Sequence, residues 1–445
     1  MEVLSITVQL LISLSFLIIL HELGHFLAAR KFGVRVIKFY LFFDFLFPFP
    51  NVANLSLVKK QVGDTEWGVG WFPFGGYVQM AGIMDESMDK EAMKQPPKPD
   101  EFRAKPPWQR LIILLGGIIM NVLIAFVLYS TIAFVWGEKY LPAENAIYGI
   151  YADELAQEMG LRNGDKIVAI DGIAPKTFSD IPLMIILDEA NEITIERNNK
   201  KMTLDVPKDF IKKILDNKGA GFIELAFPCK VLSFTENSNI EKAGALTGDE
   251  IIELNGQPVS SFSEFVNLKG DLADTTVQIT VLRNEERIPL EVELDEFGRL
   301  GFAVPPPSEF FELATKEYGL FAAILQGPVR TWDVFASYFK QIKFLFNSDN
   351  EGWKHVGSFG TFAKIFPVPF NLQIFLERTA FISVILAFMN LLPIPALDGG
   401  HAMFTTYEMV FRRKPNEKFM EYAQLVGMIL LLGLMSLGIF NDIFR

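Results

Sequence analysis

The 445-residue chain contains a single cysteine, Cys229, and only four histidines. One cysteine excludes an intramolecular disulfide and any zinc site built from thiolates. We expect Cys229 to be a small buried apolar residue. Basic residues are outnumbered, with 41 Lys and Arg against 53 Asp and Glu, so the net charge is −12. An acidic balance of this kind argues against nucleic acid as a partner.

Long apolar stretches, in contrast, are abundant: hydrophobic residues make up 50% of the chain, and its mean hydropathy is +0.26. A helix needs about 20 apolar residues to cross a hydrocarbon core of about 30 Å. Four stretches reach that length, namely 4–29, 111–136, 377–403 and 422–441. The first lacks the basic residues that precede the apolar run of a signal peptide, so we predict a retained helix. The expected fold class is a multi-span α-helical membrane protein.

The positions of Lys and Arg predict the orientation of these spans. Basic residues cluster after the first stretch, before the second, and between the third and the fourth, whereas the N-terminus has none. We therefore expect 31–109 and 404–420 to face the cytoplasm and both termini to face the other side. The region 137–376 is then extracytoplasmic. Its part 137–307 holds 17 Lys and Arg against 30 Asp and Glu, which is a charge of −13.

This extracytoplasmic region contains an internal repeat. "NGDKIVAIDG" (163–172) aligns with "TGDEIIELNG" (247–256) at an offset of 84 residues, and each copy ends in a Gly-Phe pair. Alternating apolar and polar residues of strand type follow each turn. We therefore predict two tandem α+β modules, 137–225 and 226–306.

Both modules resemble PDZ domains. Their Gly-Phe pairs, Gly221-Phe222 and Gly301-Phe302, resemble the carboxylate-binding loop of that family. This loop normally opens the domain, and its position at the end indicates the circularly permuted bacterial form. PDZ domains bind extended peptides by adding a strand to a sheet edge. A duplicated spacer without a ligand is the alternative.

The segment 307–376 has a helical pattern. "FFELATKEYGLFAAILQ" and "TWDVFASYFKQIKFLF" mix aromatic residues with scattered charges, as amphipathic helices at a membrane interface do. Ordinary helices that face a soluble core are the alternative. The predicted organisation is thus a membrane part over 1–136, two modules, this helical segment, and a second membrane part over 377–445.

The first apolar stretch carries "HELGH" at 21–25. His21 and His25 are four residues apart, so on a helix both project from one face and can bind one Zn²⁺. Zinc lowers the pKa of bound water to about 7, and Glu22 beside the histidines is a general base for hydrolysis of a carbonyl. A pair of core histidines is the alternative. Ionisable residues inside an apolar span are rare, however, and usually functional.

Zinc hydrolases usually have three protein ligands and one open position. The third apolar stretch offers Asp398, which is the sole carboxylate between Glu377 and Glu408. The two glycines after it relax the backbone, and prolines break the helix before it, as is tolerated where backbone lines an enclosed cavity. His401 is an alternative ligand. We favour Asp398 alone because a fourth protein ligand would close the position that water needs.

These motifs together resemble the site-2 protease family of intramembrane zinc metalloproteases, in its bacterial type. The resemblance rests on "HELGH", on "NLLPIPALDGGH" in the third stretch, and on the PDZ-like repeats between them. "FGGYVQMAG" (74–82) is similar to the family's re-entrant β-loop, expected here at about 59–80. "EFRAKPPWQRLIILLGGIIMN" (101–121) is similar to the run into its second span. The similarity extends over most of the chain.

The resemblance implies a zinc-dependent endopeptidase of the bacterial inner membrane. Its substrates would be single-span membrane proteins, such as anti-sigma factors trimmed by another protease, or leftover signal peptides. The family's zinc ligands fall on His21, His25 and Asp398, and its general base falls on Glu22. Asn390 matches an asparagine that contacts substrate or steadies the intermediate.

Two departures from the family pattern concern the substrate channel. A glycine-containing stretch is common after the first span, where this chain reads "FYLFFDFLFPFP" (39–50). The second span has Gly-Gly at 116–117, where Gly-Pro is common. Both leave the catalytic assignment unchanged but put the local channel shape in question.

A transmembrane substrate must be unwound before it is cut, and an edge strand can bind the extended chain. "TEWGVGWFPFGGYV" (65–78) fits this role, because its glycines let another backbone approach. The candidate substrate-binding residues are Gly68, Gly70, Gly75, Gly76 and Tyr77. A packing hairpin without contact to substrate is the alternative.

The PDZ-like modules would act as a gate that excludes bulky ectodomains and admits shortened ones. We expect transmembrane protein substrates and membrane lipid as partners, and a monomer. Two other functions are open. One is a membrane-anchored PDZ receptor with a non-catalytic metal site, against which Glu22 argues. The other is a transporter with a proton relay, against which the lack of an inverted repeat argues.

Overall fold

A computed structural model gives the fold for residues 2–46, 52–83, 96–216, 222–270, 272–345, 365–413 and 416–444. The chain divides into two compact units. The membrane unit comprises Met1–Gly137, Glu317–Phe339 and Lys354–Arg445, and the repeat unit comprises Glu138–Lys316 and Lys340–Trp353.

In this described part the helices are α1 (Glu2–Lys31), α2 (Pro107–Trp136), α3 (Glu154–Glu158), α4 (Asp180–Leu187), α5 (Phe210–Asp216), α6 (Asn239–Lys242), α7 (Phe262–Lys269), α8 (Leu320–Leu345), α9 (Leu372–Leu391), α10 (Asp398–Phe411) and α11 (Glu417–Phe444). The strands are β1 (Val36–Phe43), β2 (Ser56–Val62), β3 (Thr65–Gly70), β4 (Phe72–Met80), β5 (Glu138–Tyr140), β6 (Ile150–Ala152), β7 (Lys166–Ile170), β8 (Glu192–Arg197), β9 (Lys200–Asp205), β10 (Ile223–Leu225), β11 (Ser233–Phe234), β12 (Glu250–Leu254), β13 (Gln257–Pro258), β14 (Thr276–Arg283), β15 (Glu286–Glu293), β16 (Phe302–Ala303) and β17 (Ala314–Lys316).

Among the described residues, four helices are long and apolar enough to cross a membrane, which agrees with the predicted number of spans. They are Val3–Lys31, Pro107–Trp136, Leu372–Leu391 and Lys418–Gly438. The prediction for the third span was wrong in one respect, because 377–403 is not one continuous helix. α9 ends at Leu391, and α10 begins at Asp398. Leu392 takes an extended conformation (φ −60°, ψ 141°), as a residue before proline does, and the prolines that follow cannot continue the helix.

α1 and α2 pack with their backbones in contact. A Cβ atom added at Gly24 would lie 2.6 Å from the carbonyl carbon of Gly116, and one added at Gly116 would lie 2.6 Å from the carbonyl oxygen of Gly24. α2 is tied in turn to α9, since the hydroxyl of Ser383 donates to the backbone carbonyl of Asn121 at 2.8 Å. α2 is thus the central helix that relates the first and third spans.

A four-stranded sheet follows α1 within the membrane unit, in the order β2-β3-β1-β4. β1 and β3 are parallel, and the other pairs are antiparallel. The β-structure expected at 59–80 is therefore larger than predicted, since it includes β1 and begins at Val36. The stretch "FYLFFDFLFPFP" supplies part of β1, and its residues 47–50 lie outside the described residues.

The sheet order corrects the expectation for two of the glycines. Gly68 and Gly70 lie on β3, whose two edges are both paired, so these residues cannot offer backbone groups to a substrate. Their lack of a side chain has a packing reason. A Cβ atom at Gly68 would lie 2.8 Å from the hydroxyl of Tyr40, and one at Gly70 would lie 2.5 Å from the amide nitrogen of Asp44. The edge strands of this sheet are β2 and β4, and of the five candidate residues only Gly75, Gly76 and Tyr77, on β4, lie at an edge.

The repeat unit contains two separate cores, one formed by side chains between 150 and 223 and the other by side chains between 229 and 300. Cys229 is buried in the second core with a free thiol, as expected. Each core is built around β-sheet, β7-β8-β9 in the first and β13-β12-β14-β15 in the second.

The internal repeat is visible in matching polar contacts. Arg197 binds Asp165 through two hydrogen bonds and also donates to the carbonyl of Gly160. At the same place in the second copy, Arg283 binds Asp249 and donates to the carbonyl of Gly244. The repeat therefore extends from the sequence to the three-dimensional arrangement of side chains.

The two phenylalanines of the Gly-Phe pairs that resemble a carboxylate-binding loop lie next to short strands: Phe222 directly precedes β10, and Phe302 is the first residue of β16. Gly221 is outside the described residues, and the Phe222 side chain is 1% exposed in the first core. Gly301 has φ +88° and packs against Ser238, and Phe302 begins β16. β10 pairs with β6, and β16 pairs with β11.

The amphipathic segment differs from its prediction in two ways. Residues 314–316 form strand β17, which pairs with β5, rather than a helix. The two predicted helices are one helix, α8, with Pro328 inside it. Val334 and Phe335 pack against the spans, while Phe321 and Trp332 are exposed. The helix therefore presents apolar side chains on its outer side as well as its inner one.

Candidate metal centre

The two histidines of "HELGH" lie one turn apart on α1, as their spacing predicts. Their ring centroids are 4.9 Å apart, and their Nε2 atoms are 3.3 Å apart. The side chains are 13% and 7% exposed for His21 and His25. Two nearly buried imidazoles thus direct the same nitrogen toward one point.

Asp398 reaches that point from a distant part of the chain. As the first residue of α10, it follows the proline-containing break after α9. Its Oδ2 atom lies 3.2 Å from the Nε2 of His21 and 3.2 Å from the Nε2 of His25. This Oδ2 is buried, yet it has no hydrogen-bond partner of good geometry in the described part of the chain.

This triangle of donor atoms fits a zinc ion. Zn–N and Zn–O distances of about 2.0–2.2 Å place the ligands of a tetrahedral ion roughly 3.3–3.6 Å apart. The three separations here, 3.3, 3.2 and 3.2 Å, are close to that edge length. The hydrogen bond that His25 makes also leaves its Nε2 atom able to bind a metal ion. Its Nδ1 faces the carbonyl oxygen of Ile113 at 2.8 Å, and a carbonyl only accepts, so in the neutral ring Nε2 carries a free lone pair.

His21, His25 and Asp398 are the one group of metal-ligating side chains found among the described residues. His401 lines the same cavity but lies outside this group, in which all donor atoms are within 4.8 Å of one another. His355 is outside the described residues. The arrangement therefore agrees with a three-ligand site that leaves a fourth position open.

Gly117 makes room for the two imidazoles. A Cβ atom at this position would lie 2.5 Å from Cε1 of His21 and would also meet Nε2 of both rings. Gly116, beside it, allows the close contact of α1 and α2 described above. The Gly-Gly pair that departs from the family pattern thus belongs to the packing of this centre.

A cavity of about 510 Å³ opens beside the three side chains. Glu22 and Asn390 both line it, as does the edge strand through Gly75, Gly76 and Tyr77. A Cβ atom at Gly76 would lie 3.3 Å from Cγ of Glu22, so the edge strand passes directly by this carboxylate. The remaining lining is mostly apolar, from α1, β1 and β4. Glu22, Asn390 and three of the five expected substrate residues are therefore brought to one place.

Asn121 on α2 was missed by the sequence reasoning. Its side chain is fully buried, with Nδ2 3.1 Å from Nδ1 of His21. The available signal was that Asn121 is the first polar residue within an otherwise apolar run that begins at Leu111. A buried amide inside a membrane span needs a partner, and here the partner is a histidine of the metal cluster.

Comparisons with known proteins agree with this chemistry over the full length. The sequence model of peptidase family M50 matches residues 9–434. The regulator of sigma-E protease RseP of Escherichia coli K12 is 28% identical over 459 residues, covering 98% of this chain and 97% of the relative. The Campylobacter jejuni protein named "Putative zinc metalloprotease Cj1068" is 29% identical over 442 residues, covering 97% and 91%. The Neisseria meningitidis protein named "Putative zinc metalloprotease NMA0084" is 26% identical over 450 residues, covering 96% of each.

Proposed function

Since the chain belongs to peptidase family M50 and is a zinc metalloprotease, we propose that it cuts single-span membrane proteins within or near the bilayer. The observation that carries the proposal is the convergence of His21, His25 and Asp398 at a cavity beside an edge strand. His21 and His25 lie within a candidate membrane span, and Asp398 follows the next-to-last one. A peptide bond that reaches this site must therefore come from a segment at membrane depth.

His21, His25 and Asp398 hold the metal in this proposal. A zinc ion bound by three such ligands supplies Lewis acidity and acidifies water. Glu22 lines the cavity beside its two histidine neighbours, where it takes the proton of the attacking water and returns it to the leaving amine. The side-chain amide of Asn390, also at the cavity, donates to the scissile carbonyl oxygen as that oxygen gains charge.

The substrate lies extended along β4. This strand is the sheet edge that lines the cavity, so backbone groups near Gly75 and Gly76 can pair with a segment that has lost its helical hydrogen bonds. A Cβ atom at Gly75 would meet the ring of Phe43, and one at Gly76 would meet Ile18 of α1, so β4 can lie this close to its neighbours only with glycine at both positions. Tyr77 is held in place by a hydrogen bond of 2.9 Å from its hydroxyl to Asp44. We propose that this sheet is the family's re-entrant β-loop.

The expected substrates are proteins similar to anti-sigma factors, or remnant signal peptides. The Escherichia coli relative is named as a regulator of sigma-E, which supports the first class. The proposed location is the bacterial inner membrane, with both termini and the two modules in the periplasm. The distribution of Lys and Arg supports this orientation, and the exposed apolar side chains of α8 support contact with lipid.

The modules 137–225 and 226–306 act as a size filter for the substrate ectodomain. Two separate cores with equivalent Arg–Asp pairs support two intact domains of one type. Gly301 and Phe302, with Gly221 and Phe222, would form their peptide loops. Deletion of both modules should widen the range of proteins that are cut. Unchanged selectivity would contradict the filter without touching the catalytic proposal.

The decisive experiment compares zinc content and cleavage in the purified full chain. Wild type should hold one zinc and cut a model transmembrane peptide, whereas Glu22→Gln should keep the zinc and lose cleavage by at least about 100-fold, as loss of a general base does. Glu377→Gln is the matched control, because Glu377 is also half-buried in a candidate span but does not line the cavity. Equal cleavage by wild type and Glu22→Gln would contradict the proposed mechanism.

A further inference from the structure

Asn121 contacts the edge of the His21 ring that points away from the metal cluster. Its side chain is 0% exposed, and its amide lies 3.1 Å from the Nδ1 of His21, on the opposite side of the ring from Nε2. Its other amide end, Oδ1, has no hydrogen-bond partner in the described part of the chain. The backbone at this residue is also fixed, because Ser383 on α9 donates to its carbonyl.

The second histidine shows what such a neighbour does. Nδ1 of His25 faces the carbonyl oxygen of Ile113, also on α2, so Nδ1 carries the proton and Nε2 presents a lone pair to the cluster. His21 needs an acceptor at Nδ1 for the same tautomer. The amide oxygen of Asn121 is such an acceptor, whereas its NH₂ group is not.

The two ends of an asparagine amide have nearly the same shape, and which end faces a neighbour is decided by the hydrogen bonds. With NH₂ toward His21, the Nδ1 of the ring would accept, and the proton would sit on Nε2. That proton would occupy the lone pair aimed at Asp398 Oδ2, 3.2 Å away. With the oxygen toward His21, the Nδ1–H donates, and Nε2 is free to bind.

We propose that Asn121 is a positioning residue whose side-chain oxygen accepts the Nδ1–H of His21 and so presents Nε2 as a zinc ligand. The proposal rests on the proposed role of His21 in the metal centre. α2 then orients both ligating rings, one through the backbone carbonyl of Ile113 and one through the side chain of Asn121. The contact of α1 with α2 is in this way part of the metal site as well as of the packing.

The test measures zinc affinity of the purified full chain by chelator competition, together with the visible spectrum of the Co²⁺-substituted protein. Asn121→Leu has a similar size but no acceptor, and it should weaken zinc binding about 10–100-fold, as loss of a partner of a ligating histidine does. Asn121→Asp keeps an acceptor and has no donor, so its affinity should equal or exceed that of wild type. Ser383→Ala is the control, since it alters the same helix contact without touching the side-chain amide.

Two results would overturn the proposal. The first is a zinc affinity of Asn121→Leu within about twofold of wild type. The second is an equal loss of zinc affinity in Asn121→Asp and Asn121→Leu, because that result means that the NH₂ group is needed. If Asn121→Leu does not fold, Asn121→Ala takes its place with the same expectation. Asp398→Asn separates this from the proposed function. If Asp398→Asn binds zinc as tightly as wild type, the metal centre itself is wrong; if only Asn121 variants have no effect, the centre stands and the positioning role falls.

Discussion

Buried carboxylates occur in both units of this protein, but their surroundings differ. In the repeat unit Asp165 and Asp249 are each 1% exposed, and each accepts two hydrogen bonds from an arginine, Arg197 or Arg283. Each also accepts from the backbone N–H three residues earlier. In the membrane unit Asp398 has no such set, and its Oδ2 faces two imidazole nitrogens instead.

This difference separates a structural carboxylate from a ligating one. A buried carboxylate that is fully hydrogen-bonded to an arginine and to backbone stabilises the loop that holds it. A buried oxygen that lacks those bonds needs another positive partner, because uncompensated burial of a charge is costly. Three potential ligand atoms that lie 3.2–3.3 Å from one another have the spacing that a bound metal ion requires.

The largest effect is expected for Asp398→Asn. The amide keeps the size of the side chain but loses its charge, so zinc affinity should fall by more than the ~10–100-fold typical of changes around a ligand. Asp165→Asn makes the same change at a carboxylate of the repeat unit, whose side chain is 1% exposed against 23% for Asp398, and should leave the zinc content unchanged. Metal analysis of both purified variants checks this, and equal loss of zinc in the two would end the distinction between them.

Asp249→Asn tests the structural role of the hydrogen-bonded carboxylates in the repeat unit. Removing the charge from a pair of hydrogen bonds to Arg283 should destabilise the second module by about 2–3 kcal/mol. Cys229, the only cysteine of the chain, is buried in that module, so the rate of its alkylation reports local opening. Labelling should become about 30–150-fold faster. Asp165→Asn lies in the other module and should leave the labelling of Cys229 slow, whereas fast labelling in both variants would show that the modules unfold together.

Gly24→Ala tests whether the contact of α1 and α2 holds the ligands together. The new Cβ atom would meet the backbone of Gly116, so the helices must separate at an expected cost of about 1–3 kcal/mol. Because the two helices separate, zinc affinity should fall, while the labelling rate of Cys229 stays at the wild-type value. Exposed Gly63, where a Cβ atom meets nothing within 4 Å, offers Gly63→Asn as a control that should change neither.

The smallest effect concerns pH. Burial raises the pKa of Asp249, but the hydrogen bonds from Arg283 and from the N–H of Leu246 outweigh it, so the pKa lies below its ordinary value of 3.8. A carboxyl whose pKa is depressed by folding contributes stability above the unfolded pKa and loses it as pH falls through the folded value. Protection of β14 from hydrogen exchange should therefore decrease below about pH 4. The decrease should be shallower in Asp249→Asn, and identical profiles would exclude this residue as the cause.

Much of the candidate site could be predicted because it depends on local patterns. The spacing of His21 and His25 on a helix follows from 3.6 residues per turn, and the isolation of Asp398 in apolar sequence marks it without knowledge of the fold. The repeat was equally accessible, since "NGDKIVAIDG" and "TGDEIIELNG" encode the same turn twice. These signals need no contact between distant segments to be recognised.

Other features depend on such contacts and were missed or wrong. Gly68 and Gly70 lie among aromatic and β-branched residues just as Gly75 and Gly76 do. Only the strand order decides which of the two pairs lies at a sheet edge. Residues 314–316 form a strand only because β5, more than 170 residues earlier, pairs with them. Asn121 is a single amide in an apolar helix until His21 is placed beside it.

The sequence by itself determined the number of candidate spans, the internal repeat and the residue types of a zinc centre, because each is encoded within a short window by hydropathy or by helical and turn periodicity. Tertiary structure alone decided that Asp398 meets His21 and His25, that β4 is the open edge beside Glu22, and that α2 stands behind both histidines. The physical reason is that ligand distances of a few ångströms are set by how helices pack. In this chain that packing depends on the close contact of Gly24 with Gly116.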